Sequence, residues 1–430
     1  MIRKIAWLTP WNDQSAIAKF SDYIIRELQS RELDVKVFRT ETGPALASSN
    51  LSDAVPVSCL KGTQPKKLVM EFDAIVANIG DHYPFHGALP RLLDAVPSFG
   101  IFHDGFLVNL AAPWADAEAN GSNGSVSLTE ALYGANFERT TNSLAELATT
   151  YPMLEWLAPK VSGAILHSHH WADRLKTSCS GNVTVQPLAM PDEAVPDPPQ
   201  NASSNIVVAT IGDVNRNKQP DQVLRAIASQ PVLRERCSYK LIGRVDPVER
   251  KWLEELASNL DIPAPTFTGW VTDKQLIAEL SSVDVISCLR YPILEGGSAS
   301  LITAMRSHRP VMVSHHGVYA EVPSDLVLRC TPGAEAEDIA SHLSALIADR
   351  SAAGRMAQRA RTYALDAFSS SRYVDGLLPA LSEAVRQSPA IELAKRTGYL
   401  LGSLGVCRNS AVGQRLADHI WHNFGEGGYK

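Results

Sequence analysis

The sequence predicts an α/β protein of two domains, each built on a mostly parallel sheet. Three observations carry this expectation. The chain has 430 residues, more than one usual hydrophobic core accommodates. Short apolar runs alternate with segments of helical periodicity in both halves. The alternation also restarts at Ile206, after Pro187, Pro191, Pro196, Pro198 and Pro199 have given the chain a linker composition. The expected division is an N-terminal domain over 1–190, a Pro-rich linker over 191–203, a second domain over 204–370, and C-terminal helices over 371–430.

In the first half, Ile5 to Leu8 reads as a strand. An amphipathic helix follows from Ala16 to Gln29, with Ile17, Phe20, Ile24 and Leu28 at helical spacing. Val35–Phe38, Ala74–Ile79, Phe99–Phe102 and Ala164–His167 read as further strands. Strands joined through helices form right-handed βαβ units and a parallel sheet covered on both faces. Ligands of such sheets bind beyond the carboxyl ends of the strands. That singles out 10–16, 78–82 and His103-Asp104-Gly105. His103 at a strand end could exchange a proton near neutral pH; the plainer reading is a histidine bonded within a turn. His82 and His86 read as loop residues. The polar, turn-rich stretch 111–151, with Asn120-Gly-Ser-Asn-Gly124 as its tip, reads as an acceptor-binding excursion that Tyr133, Phe137 and Arg139 could line.

In the second half, Ile206–Gly212, Tyr239–Ile242, Val283–Cys288, Val311–Ser314 and Leu326–Arg329 read as strands. Arg216 and Lys218 follow the first of these and precede a helix from Pro220, so they suit a diphosphate clamp; Arg244 is a second candidate. Gly269 precedes Trp270, Val271 and Asp273, the last expected to cap a helix. Leu289 to Met305 reads as loop and helix start. Glu295, Gly296 and Gly297 lie before the small residues Ser298, Ala299 and Ser300. Unpaired N–H groups at a helix start favour an anion. A carboxylate beside them would repel phosphate and suits sugar hydroxyls instead. Helices are expected over 334–348, 352–366 and 373–386. Gly402, Gly405, Gly425, Gly427 and Gly428 suggest breaks and a loose end.

The apolar and charged fractions, 45% and 20%, are those of an ordinary globular chain. A net charge of -6 argues against nucleic-acid binding. The six cysteines are scattered singly with no C-x-x-C pair, which fits a reduced, cytoplasmic setting; Cys288 and Cys330 lie in apolar runs and are expected in the core. No signal peptide and no membrane-spanning run is expected.

Together these stretches resemble the retaining glycosyltransferases of family 4, with the GT-B fold of two Rossmann-like domains facing each other across a cleft. The resemblance rests on Gly212–Lys218, Phe267–Asp273, Asp284–Met305, and Arg309–Ser314 followed by Glu321. It implies hexosyl transfer from a UDP- or GDP-sugar to a saccharide or lipid-linked acceptor, in surface polysaccharide synthesis. It implies no cofactor beyond the nucleotide sugar as co-substrate. A peripheral contact with the inner face of the membrane, known in relatives, is weakly disfavoured here because the first domain is not net basic. Lys218 matches the family's diphosphate lysine. Asp213 stands where an arginine is usual, leaving Arg216 or Arg244 to compensate. Glu295 matches the first glutamate of the family's E-x-x-x-x-x-x-x-E pattern, and Thr303 replaces the second. Ser298–Ser300 would offer amides to the diphosphate, and Trp270 and Val271 would lie near the base. His103 looks like the family's N-domain histidine. Ser15-Ala16-Ile17-Ala18 stands for Gly-Gly-Ile-Ala, so the phosphate contact there is expected to differ. No Asp-x-Asp pair occurs, so no metal is expected to hold the diphosphate. The competing readings are a phosphorylase on the same fold and a non-catalytic sugar-nucleotide-binding protein.

Overall fold

The computed structural model describes residues 2–121, 123–134, 143–191, 205–406 and 410–424. The chain divides into two units, one comprising Met1–Pro187, Leu294–Gly297 and Ser370–Lys430, the other Leu188–Ile293 and Ser298–Ser369. Residues 192–204, which hold most of the expected linker, lie outside the described residues.

The first unit is built on strands β1 (Lys4–Thr9), β2 (Asp34–Arg39), β3 (Val57–Cys59), β4 (Ala74–Ile79), β5 (Phe99–Phe102), β6 (Ala164–Leu166) and β7 (Val183–Val185). They form one parallel sheet in the order β3-β2-β1-β4-β5-β6-β7. Every residue of β4 and β5 is buried, as expected of strands covered on both faces. The helix Ala16–Ser30 buries Phe20, Ile24, Ile25 and Leu28, and Ser15 caps it by accepting from the Ala18 amide. The long helix Ser370–Ser403 packs beside it: Tyr373 meets Phe20 edge-on at 5.1 Å, and Arg31 pairs with Asp375 at 2.7 Å.

The second unit holds β8 (Ile206–Ile211), β9 (Cys237–Ile242), β10 (Thr266–Phe267), β11 (Val285–Cys288), β12 (Val311–Ser314) and β13 (Leu328–Cys330). The sheet is again parallel, in the order β10-β9-β8-β11-β12-β13. Cys288 and Cys330 are buried in its core, as the sequence suggested. In each sheet the strand order reverses once, between β1 and β4 and between β8 and β11.

Four expectations are corrected. The stretch 111–151 is helical where it is described, with helices Val108–Glu118, Asn123–Tyr133 and Leu144–Thr150. Gly124 allows the first two to touch, since a Cβ there would sit 2.0 Å from the Ala115 carbonyl oxygen. Phe137 and Arg139 lie outside the described residues, and the Tyr133 hydroxyl is taken up by Glu155 at 2.6 Å and the Met153 amide at 2.9 Å. His86 is a core residue in the short helix Tyr83–His86, not a loop residue. Thr272, not Asp273, caps the helix Asp273–Leu280, in a reciprocal capping box with Gln275. The tail is more helical than expected: Gly402 lies inside Ser370–Ser403, while Gly405, with φ +76, lies at the expected break before a further helix, Ala411–Phe424. Gly425, Gly427 and Gly428 lie outside the described residues. No helix among the described residues is long and apolar enough to cross a membrane.

Candidate functional site

In the second unit the loops after β8 and β11 flank the point where the strand order reverses, where open parallel sheets bind ligands. Gly212 ends β8 with φ +82, and beside it runs Lys218, whose Nζ donates to the Ile211 carbonyl at 2.6 Å. Lys218 is buried, held in a one-turn helix, Arg216–Lys218, ahead of Pro220. The two loops are tied to each other. The Tyr291 amide donates to the Asn217 carbonyl at 2.9 Å, and the Asn217 side-chain amide donates to the Pro292 carbonyl.

The loop after β11 leads into the helix Ala299–Arg306. Ser298 caps it by accepting from the Leu301 amide at 3.3 Å. Ala299, Ser300 and Thr303 are half-buried on this helix. Sequence reasoning missed the cation here. Arg290, buried at 7% exposure, donates to the Leu289 carbonyl at 2.7 Å and to Ser300 Oγ at 3.1 Å. Its guanidinium also faces the Tyr319 ring at 5.9 Å. The available signal was an arginine placed directly after a buried apolar strand and before Pro292.

The two arginines expected to complete the clamp are engaged elsewhere. Arg216 pairs with Glu249 at 3.1 Å and covers the Trp252 ring at 4.6 Å. Arg244 pairs with Asp213 at 2.6 Å, both largely exposed. Trp270 is 72% exposed just past Gly269, while Val271 packs on the core of this unit.

In the first unit the ends of β4 and β5 carry a cluster of ionisable groups. The Asp81 amide donates to Asp104 Oδ2 at 2.9 Å; Asp81 itself accepts from Asn109 Nδ2 at 2.6 Å and the Leu110 amide at 3.0 Å. Burial, then the nearby Asp104 charge, pushes the Asp81 carboxyl up to about 8. Burial, then the Glu295 charge, pushes Asp104 up to about 7. The segment Leu294–Gly297 lies against this edge. The Gly105 and Phe106 amides donate to the Leu294 carbonyl, the Gly296 amide donates to the His103 carbonyl at 2.8 Å, and Trp171 Nε1 donates to the Glu295 carbonyl at 3.3 Å. Gly296 is required, because a Cβ would sit 2.9 Å from the His103 carbonyl oxygen. Glu295 and Gly297 are half-buried.

His103 is buried, with both ring nitrogens engaged, one by Asn78 and one by His167, each at 3.1 Å. Burial first, then the neighbouring His167 and His86, pulls its proton affinity well below the usual imidazole range. The expectation of a proton exchanged near neutral pH is therefore corrected: the resting ring is neutral. Ser15 is spent as a helix cap and Ala16 is the first exposed residue of that helix. The loop before them is pinned by Glu41, whose Oε1 accepts from the Trp11 amide, Asn12 Nδ2 and Arg39 Nη2 at 2.8–3.0 Å.

Residues 193–363 match the family model of glycosyl transferases, group 1. No curated relative matches the sequence. Among solved structures, the sucrose-phosphate synthase of Thermosynechococcus elongatus is 16% identical over 88% of this chain and 98% of its own, with a TM-score of 0.59. Anabaena HepE, solved with UDP and glucose, is 16% identical over 88% and 99%, at 0.59. WaaG, a glycosyltransferase involved in lipopolysaccharide biosynthesis, is 14% identical over 86% and 98%, at 0.54. The fold is the GT-B fold of these structures, and the match to the glycosyl transferases group 1 model falls mostly on the second unit.

Proposed function

We propose that the protein is a nucleotide-sugar-dependent glycosyltransferase that moves a hexosyl unit, with retention of configuration and without a metal, to a saccharide or lipid-linked acceptor. The observation that carries this reading is the paired loops at the strand-order reversal of the second unit, with Lys218 and Arg290 buried beside a helix start. Two cations and the amides of Ser298–Ser300 suit a diphosphate, a point charge on one side and a fork on the other. Arg290 takes the part left open by Asp213. The same groups stabilise the charge that develops as the diphosphate leaves. Glu295 would accept from sugar hydroxyls, and the exposed Trp270 would stack on the base. Likeness to HepE, solved with UDP and with UDP-glucose, favours a uridine donor, and likeness to WaaG favours a cell-surface saccharide acceptor.

Transfer without inversion fits a same-face attack in which the leaving phosphate takes the acceptor proton, since neutral, buried His103 is a poor base. The test is a thermal-shift panel of UDP-, GDP- and dTDP-sugars, followed by NMR of the anomeric proton of the released or transferred sugar. A uridine donor that stabilises the protein and yields a product of unchanged configuration is expected. Failure of every sugar nucleotide to bind would sink the reading.

A further inference from the structure

The turn that follows β12 grips Arg290. Ser314, the last residue of that strand, accepts at its Oγ from the Arg290 amide at 2.9 Å. Two residues on, the His316 ring donates to the Arg290 carbonyl. Tyr319, fully buried, faces the guanidinium with its ring centroid 5.9 Å away. Gly317 has φ +56, and a Cβ there would sit 2.5 Å from Ile293 Cγ1, so the turn 315–317 packs directly on the loop after β11. All of these residues belong to the second unit.

The two histidines of the turn have different tasks. The His315 ring is exposed and meets Arg329 Nη1 at 2.8 Å. The His316 ring is half-buried beside Tyr291, with ring centroids 6.0 Å apart. Its Nε2 is buried and has no hydrogen-bond partner among the described residues. The nitrogen that donates is therefore Nδ1, and the Arg290 carbonyl fixes that tautomer. Burial lowers the proton affinity of the ring, with His315 adding to the fall, while the Arg290 carbonyl and Glu335 oppose it. The resting ring is thus neutral near neutral pH and adds no cation beside Arg290. A histidine placed to bind phosphate would turn its free nitrogen outward. Here that nitrogen is buried, and the hydrogen bond that the ring makes goes to Arg290.

That bond completes a grip on the backbone. The peptide between Arg290 and Tyr291 gives its carbonyl to His316 and its N–H to the Asn217 carbonyl, at 2.9 Å. The peptide before it gives its N–H to Ser314. Both peptide planes flanking the Arg290 Cα are pinned, and the side chain leaves from between them. Its fork then meets the Leu289 carbonyl at 2.7 Å and Ser300 Oγ at 3.1 Å. An arginine has many rotamers, and a fork fixed in advance loses less freedom when it binds.

We propose that His316 is a positioning residue for Arg290: it holds the peptide between Arg290 and Tyr291 against the Asn217 carbonyl, and so sets the guanidinium beside Ser300 before a donor arrives. That the donor is a nucleoside diphosphate sugar rests on the glycosyltransferase reading; the grip of His316 on Arg290 does not. His316 touches no substrate in this role and acts through the arginine.

The experiment compares His316→Leu, which removes the donor, with His316→Asn, which keeps one, since its amide nitrogen falls near the place of Nδ1. The first readout needs no ligand. In NMR of the full chain carrying 15N-labelled arginine, the Nε–H signal of Arg290 is identified by its loss in Arg290→Gln. In His316→Leu that signal should shift and exchange faster with solvent, and in His316→Asn it should return towards its parent position. The second readout is calorimetry with UDP. Binding should weaken by about threefold to tenfold in His316→Leu and recover in His316→Asn. Joined to Arg290→Gln, His316→Leu should add less than about twofold, because the side chain it acts through is already gone. An unchanged guanidinium signal in His316→Leu, or losses that multiply in the double variant, overturns the proposal and leaves His316 a plain tether of the turn. Should His316→Leu not fold, His316→Gln, whose amide lies one atom further out, takes its place with the same expectations. If the parent protein binds no UDP or other nucleotide, the glycosyltransferase reading falls and the guanidinium signal alone decides. A signal moved in His316→Leu and restored in His316→Asn then supports the positioning role, and an unmoved one overturns it.

Discussion

Under the proposed reading, the buried guanidinium of Arg290 would take the part that the sequence analysis gave to Arg216 or Arg244. Its stem lies in the core while its fork reaches Ser300 beside a helix start. Removing one charged contact to a phosphate should cost roughly 1.5–3 kcal/mol of donor binding. Arg290→Gln is therefore expected to weaken UDP binding by about tenfold to a hundredfold in calorimetry. Arg290→Lys keeps the charge but not the fork and should fall between the two. Unchanged affinity in both variants, with folding verified by circular dichroism, would remove Arg290 from the site. Asp81 makes a separate prediction about pH. Its carboxyl is held at about 8 in the folded chain against 3.8 for an ordinary aspartate, so the folded state keeps a proton that the unfolded state has lost. Its stability contribution is complete below about pH 4 and is lost as pH rises through about 8. The histidines act in the opposite sense: His86 and His167, held near 3 and 4, contribute above about 6.5 and lose that contribution as pH falls. Denaturation midpoints should therefore drop between neutral pH and about pH 8, and less steeply in Asp81→Asn. Parallel profiles would show that Asp81 is not the group responsible.

Among the elements, the helix Asp273–Leu280 has the clearest end. The Thr272 side chain accepts from the Gln275 amide at 3.2 Å, and Gln275 reaches back to the Thr272 amide at 2.9 Å. Thr272→Ala should lower the stability of the second unit by about 1 kcal/mol in urea titration, while Asp273→Ala should cost clearly less. A larger loss from Asp273→Ala would restore the capping role that the sequence suggested. The reason for that misreading is instructive. Both residues are good caps, and only the partner three positions on, Gln275, selects Thr272. The strands were legible because parallel strands covered on both faces read as short apolar runs, and β4, β5 and β12 fall where those runs do. The helices after Leu107 were not. Their faces are lined by alanine, threonine and glycine, such as Ala115, Thr129 and Gly124, which carry little periodic signal. The loop holding Glu295 was legible as a candidate site, because a carboxylate among glycines after a strand is a local pattern. The chain from Asn78 through His103 to His167 was not, because its members lie at the ends of three strands, separated by 25 and 64 positions. Nothing local marks such a contact. Arg290 fails for a third reason: an arginine at a strand end is ordinarily exposed, and here it is buried against Tyr319 and Ser300, contacts that no local pattern announces.

On the scale of the whole chain, each unit repeats one plan: a parallel sheet, a single reversal of strand order, and close backbone approaches made possible by glycine. Each sheet has its own core, one around Leu8, Ile79, Phe102 and Leu166, the other around Val208, Leu241, Val285 and Leu343. Separate cores predict separate unfolding transitions, since cooperativity follows shared packing and multi-domain chains depart from two-state behaviour. Two glycines make the prediction specific. At Gly243, with φ +141, a Cβ would lie 2.3 Å from the Gly212 carbonyl oxygen in the second unit. At Gly181 it would lie 1.9 Å from the Ser162 carbonyl oxygen in the first. Backbone must move in both cases, and overpacking of this kind costs roughly 1–3 kcal/mol. Gly243→Ala should lower only one of two calorimetric transitions, and Gly181→Ala only the other. The double variant should show the sum within about 0.5 kcal/mol, as for sites that share no partners. A single transition lowered by either substitution would mean that the two cores unfold as one, and a donor bound in the second unit would then stabilise the first as well.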